Sequence, residues 1–114
     1  ITGSAPISGE VLDFLKICFS APVCEGYGMT ETCAGSCVTF PEDPETGIVG
    51  GPLQNVKIKL RDIPEMGYLS SSNPPKGEIC FWGPSIMKGY YKNPEKTAEA
   101  FHGEWLLSGD VGMI

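Results

Sequence analysis

Fifteen glycines and ten prolines stand among the 114 residues, nearly twice the usual share of these two residue types. Glycine opens left-handed backbone and proline fixes φ while removing a donor, so such a chain must turn often and build many short elements. The content stays below that of a low-complexity segment. With 41% hydrophobic and 19% charged residues, the composition is that of a soluble globular protein rather than a disordered one. The length suits one core at most. No run approaches the roughly 18 apolar residues of a spanning helix, and no basic start precedes an apolar stretch, which excludes transmembrane and secretory readings for this stretch. The chain opens without Met at Ile1-Thr2-Gly3 and stops on the apolar run Val111-Gly112-Met113-Ile114. Natural boundaries tend to be polar, so an internal fragment of a longer protein is expected.

Charge narrows the partners. Fourteen acidic residues against eight basic ones give a net charge of −6. Arg61 is the one arginine, and the seven lysines are scattered. Nucleic-acid binding needs clustered Lys and Arg and is excluded. Cys18, Cys24, Cys33, Cys37 and Cys80 make an odd number with no Cys-x-x-Cys spacing, which fits a reducing, intracellular compartment. Cys33 and Cys37 would share a helical face, where a metal or disulfide is conceivable, but small core thiols are the favoured reading. His102 has no acid or nucleophile near it in sequence and reads as a surface loop residue.

Along the chain, Ser8 precedes an apolar three-and-four spacing that predicts a helix over residues 9–17 with Ser8 as cap. Residues 19–23 suggest a short strand. The turn Glu25-Gly26-Tyr27-Gly28-Met29-Thr30-Glu31 leads to Thr30, a candidate cap for a helix through Gly35. Residues 41–47 form an acidic, exposed loop. Val56, Ile58 and Leu60 alternate with Lys57, Lys59 and Arg61, the pattern of a strand with one wet face. A turn-rich connection over residues 66–76 leads to a second strand, Gly77-Glu78-Ile79-Cys80-Phe81-Trp82-Gly83, expected to pair antiparallel with the first. Asn93-Pro94-Glu95 opens a helix continuing to Phe101. Trp105-Leu106-Leu107 predicts a short strand ending in a Ser108-Gly109-Asp110-Val111-Gly112 corner.

Three clusters carry chemistry. In Gly26-Tyr27-Gly28-Met29-Thr30-Glu31 the glycines permit close backbone approach, Tyr27 offers a face for a heterocycle, Thr30 can donate to a phosphate and Glu31 can hold a hard cation. A plain turn and helix cap would also explain it. Asp110 follows an apolar strand, where an acid can bind ribose hydroxyls, although Ser-Gly-Asp is also ordinary turn chemistry. Gly3-Ser4-Ala5-Pro6 is a small-residue corner able to pass beneath a ring, or simply the entry to the first helix.

Taken in order, these motifs resemble the adenylate-forming (AMP-binding) acyl-CoA synthetase superfamily along nearly the whole chain. The resemblance rests on Gly3-Ser4-Ala5-Pro6-Ile7-Ser8, Gly26-Tyr27-Gly28-x-Thr30-Glu31, Gly47-x-Val49-Gly50-x-Pro52, Gly77-Glu78-Ile79, Gly89-Tyr90-Tyr91-x-Asn93-Pro94-x-x-Thr97 and Trp105-x-x-Ser108-Gly109-Asp110. The Asp62-Ile63-Pro64-Glu65-Met66-Gly67-Tyr68 stretch is similar to the long-chain fatty acid branch. Ser108 departs from the more frequent Thr of that corner but keeps the hydroxyl, and Trp105 reads as a packing residue. The fold class implied is α/β. Residues 1–46 would be part of an α/β nucleotide-binding subdomain, and residues 47–114 a distorted antiparallel β subdomain leading toward a hinge and a C-terminal domain.

The resemblance implies that Tyr27 and the corner Gly3, Ser4, Ala5 and Pro6 sandwich adenine, that Thr30 contacts the α-phosphate and Glu31 ligates Mg²⁺. It also implies that Gly26 and Gly28 border the reacting carboxylate and Asp110 binds the ribose. The implied enzyme is a long-chain fatty acid–CoA ligase: the carboxylate attacks the α-phosphorus of ATP, then coenzyme A displaces AMP. The family's phosphate loop would lie upstream of residue 1 and the hinge and C-terminal Lys beyond residue 114, so no ligase activity is expected of this chain alone. The implied partners are fatty acid, ATP and coenzyme A. Membrane association of a longer protein, on the endoplasmic reticulum, peroxisome or mitochondrial outer membrane, would be encoded elsewhere. Alternatives are a coumarate-ligase-like or peptide-synthetase-like adenylating domain, a noncatalytic nucleotide-binding homologue, or a small β-rich interaction domain.

Overall fold

The computed structural model describes all 114 residues, and its first element begins where the Ser8 hydroxyl accepts the Val11 N–H at 3.3 Å. That cap satisfies one of the orphan donors of a helix start and opens α1, Gly9–Phe19. The helix stops because Ser20 turns left-handed, φ 47°, and returns its N–H to the Ile17 carbonyl at 3.1 Å. Phe19 is thus the last helical residue, and the strand expected over residues 19–23 does not form. Of the apolar side chains on α1 only Leu12 is buried, whereas Val11, Phe14 and Ile17 are exposed.

The chain divides into two compact units, Ile1–Leu53 and Gln54–Ile114. In the first, β1 (Gly26–Tyr27), β2 (Cys37–Val38) and β3 (Gly51–Pro52) form a small antiparallel sheet in that order. Residues 47–53, grouped from sequence with the β-rich part, fall in this first unit because β3 pairs with β2 and the Leu53 N–H reaches the Ser36 carbonyl at 2.9 Å. The acidic loop before β3 is tied down by Glu25, a buried carboxylate that accepts the Gly47 N–H at 3.1 Å.

The second unit is a four-stranded antiparallel sheet in the order β4-β5-β7-β6, made of β4 (Lys57–Arg61), β5 (Lys76–Trp82), β6 (Phe101–His102) and β7 (Trp105–Met113). The alternation over residues 56–61 and the antiparallel pairing of β4 with β5 form as expected, with Ile58 opposite Phe81 and Leu60 opposite Ile79. Phe81 and Leu106, directly opposite each other on β5 and β7, are fully buried. The other face is closed differently. Lys57 lies over Trp82 and Lys59 over Trp105, 4.7 and 4.4 Å from the ring centroids. Each pair contributes about 0.5–1 kcal/mol at such exposed sites, and the lysine stems cover the rings.

Four sequence expectations change here. The helix α2 (Pro94–Glu99) stops before Phe101, because Phe101 and His102 pair with Leu106 and Trp105. His102 is therefore an exposed strand residue and not a loop residue. The strand from Trp105 does not end at Leu107 but runs to Met113. Cys33 and Cys37 share no helical face: Cys33 is an exposed left-handed residue and Cys37 is buried in β2. Cys37 and Cys80 are the buried thiols, Cys24 is half-buried, and Cys18 and Cys33 are exposed.

The Gly89-to-Thr97 motif is a backbone staple. Asn93 caps α2 by accepting the Lys96 N–H at 3.0 Å, while the Thr97 hydroxyl accepts the Tyr90 N–H at 2.9 Å and donates to the Asn93 carbonyl at 2.8 Å. The connection after β4 is held by Asp62, whose carboxylate accepts the Ser70 N–H at 2.6 Å. That bond holds the Asp62 carboxyl below its ordinary value. Its contribution is therefore present above the unfolded value of roughly 4 and is lost as pH falls through the lower folded value. Amide exchange at Ser70, corrected for intrinsic rate, should lose protection on going from neutral to strongly acidic pH; Asp62→Asn should weaken that dependence. Unchanged protection across the range would contradict it.

Candidate functional site

The first unit brings two of the sequence-predicted clusters together. Thr2 makes a parallel bridge beside Glu25: its N–H donates to the Cys24 carbonyl and its own carbonyl accepts the Gly26 N–H, both at 2.8 Å. The chain then turns through Gly3, Ser4, Ala5 and Pro6, with Ser4 left-handed at φ 74°. A Cβ built at Gly3 would stand 2.9 Å from the Gly26 carbonyl oxygen, so the corner lies directly against the backbone that leads into Tyr27. All four corner residues are exposed.

Beyond Tyr27 the chain makes a tight loop instead of the helix expected through Gly35. Thr30–Thr32 form a single turn of 3-10 helix, and Met29, not Thr30, is its cap residue. The cap is supplied from inside the turn: the buried Thr32 hydroxyl accepts the Met29 N–H at 3.1 Å and donates to the Met29 carbonyl at 3.0 Å. Cys33 and Ala34 follow in left-handed conformation, φ 56° and 79°, and the Ser36 N–H closes the loop on the Tyr27 carbonyl at 2.8 Å. Gly28 is where this closure depends on a missing side chain, since a Cβ there would overlap the Ala34 carbonyl oxygen. The loop leaves Thr30 exposed and Glu31 and Tyr27 half-buried.

Asp110 belongs to the second unit and is exposed. It stands in a bulge of β7, not at a strand end. Glu78 pairs with Val111 and Cys80 with Leu107, so between these pairs one residue of β5, Ile79, faces three of β7, Ser108 to Asp110, and the register shifts. Gly109 takes φ 77° to make this possible. The Ser108 hydroxyl accepts the Asp110 N–H at 3.0 Å and donates to the Asp110 carbonyl at 3.3 Å, which explains why a hydroxyl is needed at that corner and why serine serves. The Gly109 N–H donates to Glu78 Oε1 at 3.0 Å, and Glu78 Oε2 pairs with Arg61 at 2.5 Å.

Sequence reasoning gave Thr32 and Glu78 no part in the site. Thr32 is a hydroxyl following an apparent cap, and only the loop's closure gives it two backbone partners. Glu78 carried a signal in retrospect, a carboxylate in an apolar strand beside a strand containing the one arginine. Burial pushes the Cys37 and Cys80 thiols up from their ordinary values, so neither is a ready thiolate.

Residues 1–91 match the family described as AMP-binding enzyme. The chain belongs to that family. As an AMP-binding family chain it is 48% identical over 114 residues to Long chain acyl-CoA synthetase 7, peroxisomal, of Arabidopsis thaliana, a match covering 98% of this chain and 16% of that protein. The A-PCP didomain of carboxylic acid reductase from Segniliparus rugosus, solved in complex with AMP, is 34% identical with a TM-score of 0.81, covering 98% of this chain and 15% of that one. O-succinylbenzoate Coenzyme A Synthetase from Bacillus subtilis, solved in complex with ATP and magnesium ion, is 30% identical with a TM-score of 0.79, over 98% and 23%. This AMP-binding family chain spans about a sixth of the length of the curated relatives it matches. Its mixed helix and antiparallel sheets are the fold of an adenylate-forming enzyme domain in part. No helix is long and apolar enough to cross a membrane.

Proposed function

We propose that this chain is the nucleotide-binding segment of a long-chain fatty acid–CoA ligase, activating the acid as acyl-AMP before transfer to coenzyme A. One observation carries the reading: the Gly3 corner is seated on Gly26, one residue before Tyr27 and the loop that presents Thr30 and Glu31. Small residues, an aromatic face, a hydroxyl and a carboxylate follow one another there in the order that adenine, α-phosphate and a phosphate-bound cation require. The AMP and ATP complexes of the two structural neighbours support nucleotide binding, and the peroxisomal acyl-CoA synthetase supports the acyl substrate.

In this reading Tyr27 and residues 3–6 hold adenine, with Gly26 and Gly28 keeping side chains away from the reacting carboxylate. The exposed Thr30 hydroxyl donates to an α-phosphate oxygen. Displacement at phosphorus depends chiefly on positioning and charge stabilisation, which the closed loop supplies by fixing Thr30 and Glu31 before substrate arrives. Asp110, held by Ser108 within the bulge, accepts from the ribose hydroxyls.

The donor set also fits magnesium. No group of three or more His, Cys, Asp and Glu suits a metal, and Mg²⁺ asks for less, taking one or two carboxylates with substrate phosphates and water. Glu31 would hold it, and when bound it would neutralise phosphate charge. Fatty acid, ATP and coenzyme A are the partners of the longer protein. The first unit, Ile1–Leu53, serves as part of a larger α/β nucleotide-binding subdomain, and the second, Gln54–Ile114, as the β-rich part leading to a hinge. The exposed apolar stripe on α1 supports such a larger subdomain. An intracellular setting for the longer protein, peroxisomal among others, accords with the peroxisomal relative, and membrane association would be carried by parts of it outside these residues.

The full-length protein assayed for acyl-CoA formation over acids of rising chain length should favour long aliphatic chains over aromatic acids. Faster turnover of aromatic acids would overturn the branch and leave the family assignment standing.

A further inference from the structure

Glu78 is an unusual residue to find inside an antiparallel sheet. Its relative exposure is 7%, and it sits between β4 and β7 with a separate partner for each carboxylate oxygen. Arg61, directly opposite on β4, takes Oε2. Toward β7, Oε1 takes the N–H of Gly109, a donor that the bulge has removed from the strand ladder. A bulged donor left without a partner would favour other backbone arrangements. The buried carboxylate thus selects one arrangement, in which Gly109 is left-handed and Ser108 grips Asp110 from both sides.

We propose that Glu78 is a positioning residue for ribose recognition: through Gly109 it sets the backbone of the bulge and so the aim of the Asp110 carboxylate at the ribose diol, with Arg61 holding Glu78 in place. The inference rests on the reading of Asp110 as the ribose ligand, and its reach is specificity. A site built to hydrogen-bond a hydroxyl discriminates strongly against an analogue lacking it, but only while its acceptor is correctly aimed. Loss of Glu78 should therefore penalise ATP more than 2′-deoxy-ATP. A residue that merely stabilised the sheet would weaken both nucleotides alike.

The test uses the full-length protein, with kcat and KM measured for ATP and 2′-deoxy-ATP. Glu78→Met keeps the length of the side chain and removes both acceptors. It should lower the preference for ATP by about tenfold, the scale of one charge-assisted hydrogen bond, chiefly through KM for ATP. Glu78→Gln, which can still accept from Gly109, should retain most of the preference. Amide exchange at Gly109 should quicken in Glu78→Met. Asp110→Asn separates the two claims. If it leaves the preference intact, the ribose reading is wrong and the proposal falls with it. If it abolishes the preference while Glu78→Met lowers both nucleotides equally or neither, the ribose reading stands and the positioning role is refuted. Should Glu78→Met fail to fold, Arg61→Gln, a change at a half-exposed side chain, should lower the preference about threefold; no change would refute the role.

Discussion

Replacing Glu31 with alanine is expected to lower fatty-acid-dependent adenylation by the full-length protein about 10³-fold, with the apparent half-saturation for magnesium moving upward. The magnitude follows from the loss of a few kcal/mol of transition-state charge stabilisation. The direction follows from the site: Glu31 is the carboxylate that the Thr30–Thr32 turn presents, and there is no three-residue acidic cluster to replace it. Glu31→Asp, one methylene shorter, should recover part of the rate at raised magnesium. Rates within threefold of the unaltered protein, with the magnesium dependence unmoved, would remove Glu31 from the site.

Gly28→Ala should be nearly as damaging for a different reason. The added methyl would overlap the Ala34 carbonyl oxygen, and Ala34 is bound into the loop by its N–H bond to the Met29 carbonyl at 3.1 Å. Neither backbone can yield without opening the turn that carries Thr30 and Glu31. Overpacking of this kind costs about 1–3 kcal/mol, and displacing catalytic groups by about 1 Å costs roughly 10²-fold in rate. A lowered thermal midpoint together with a fall in kcat of that order is the expected result. Gly51→Ala is the matched control, because a Cβ there meets nothing within 4 Å and the backbone is not left-handed; it should change stability by less than about 0.5 kcal/mol. Equal tolerance at positions 28 and 51 would show that the loop closes in some other way.

What could be read from sequence followed the range of the forces involved. The Ser8 cap and the alternation over residues 56–61 are local signals, set by a hydroxyl three residues from its donor and by a period of two. The order of the motifs pointed to the family now matched over residues 1–91. Long-range contacts escaped. Thr30 reads as a helix cap until the Gly28–Ala34 approach and the closing bond from Ser36 to Tyr27 confine the chain to one 3-10 turn. Ser108-Gly109-Asp110 reads as a turn, since its own residues favour one, yet Glu78, 31 positions away in sequence, holds it within a nine-residue strand. Phe19 has the residue character of a strand and is kept helical by the left-handed stop at Ser20.

Isotope exchange between pyrophosphate and ATP, with the full-length protein and a long-chain fatty acid but no coenzyme A, decides whether this chain binds the nucleotide of an enzyme activating fatty acids through acyl-AMP. Exchange that requires the fatty acid and falls about 10³-fold in Glu31→Ala is expected, with AMP as the nucleotide product once coenzyme A is added. Absence of exchange, with ADP and phosphate released instead, would contradict it.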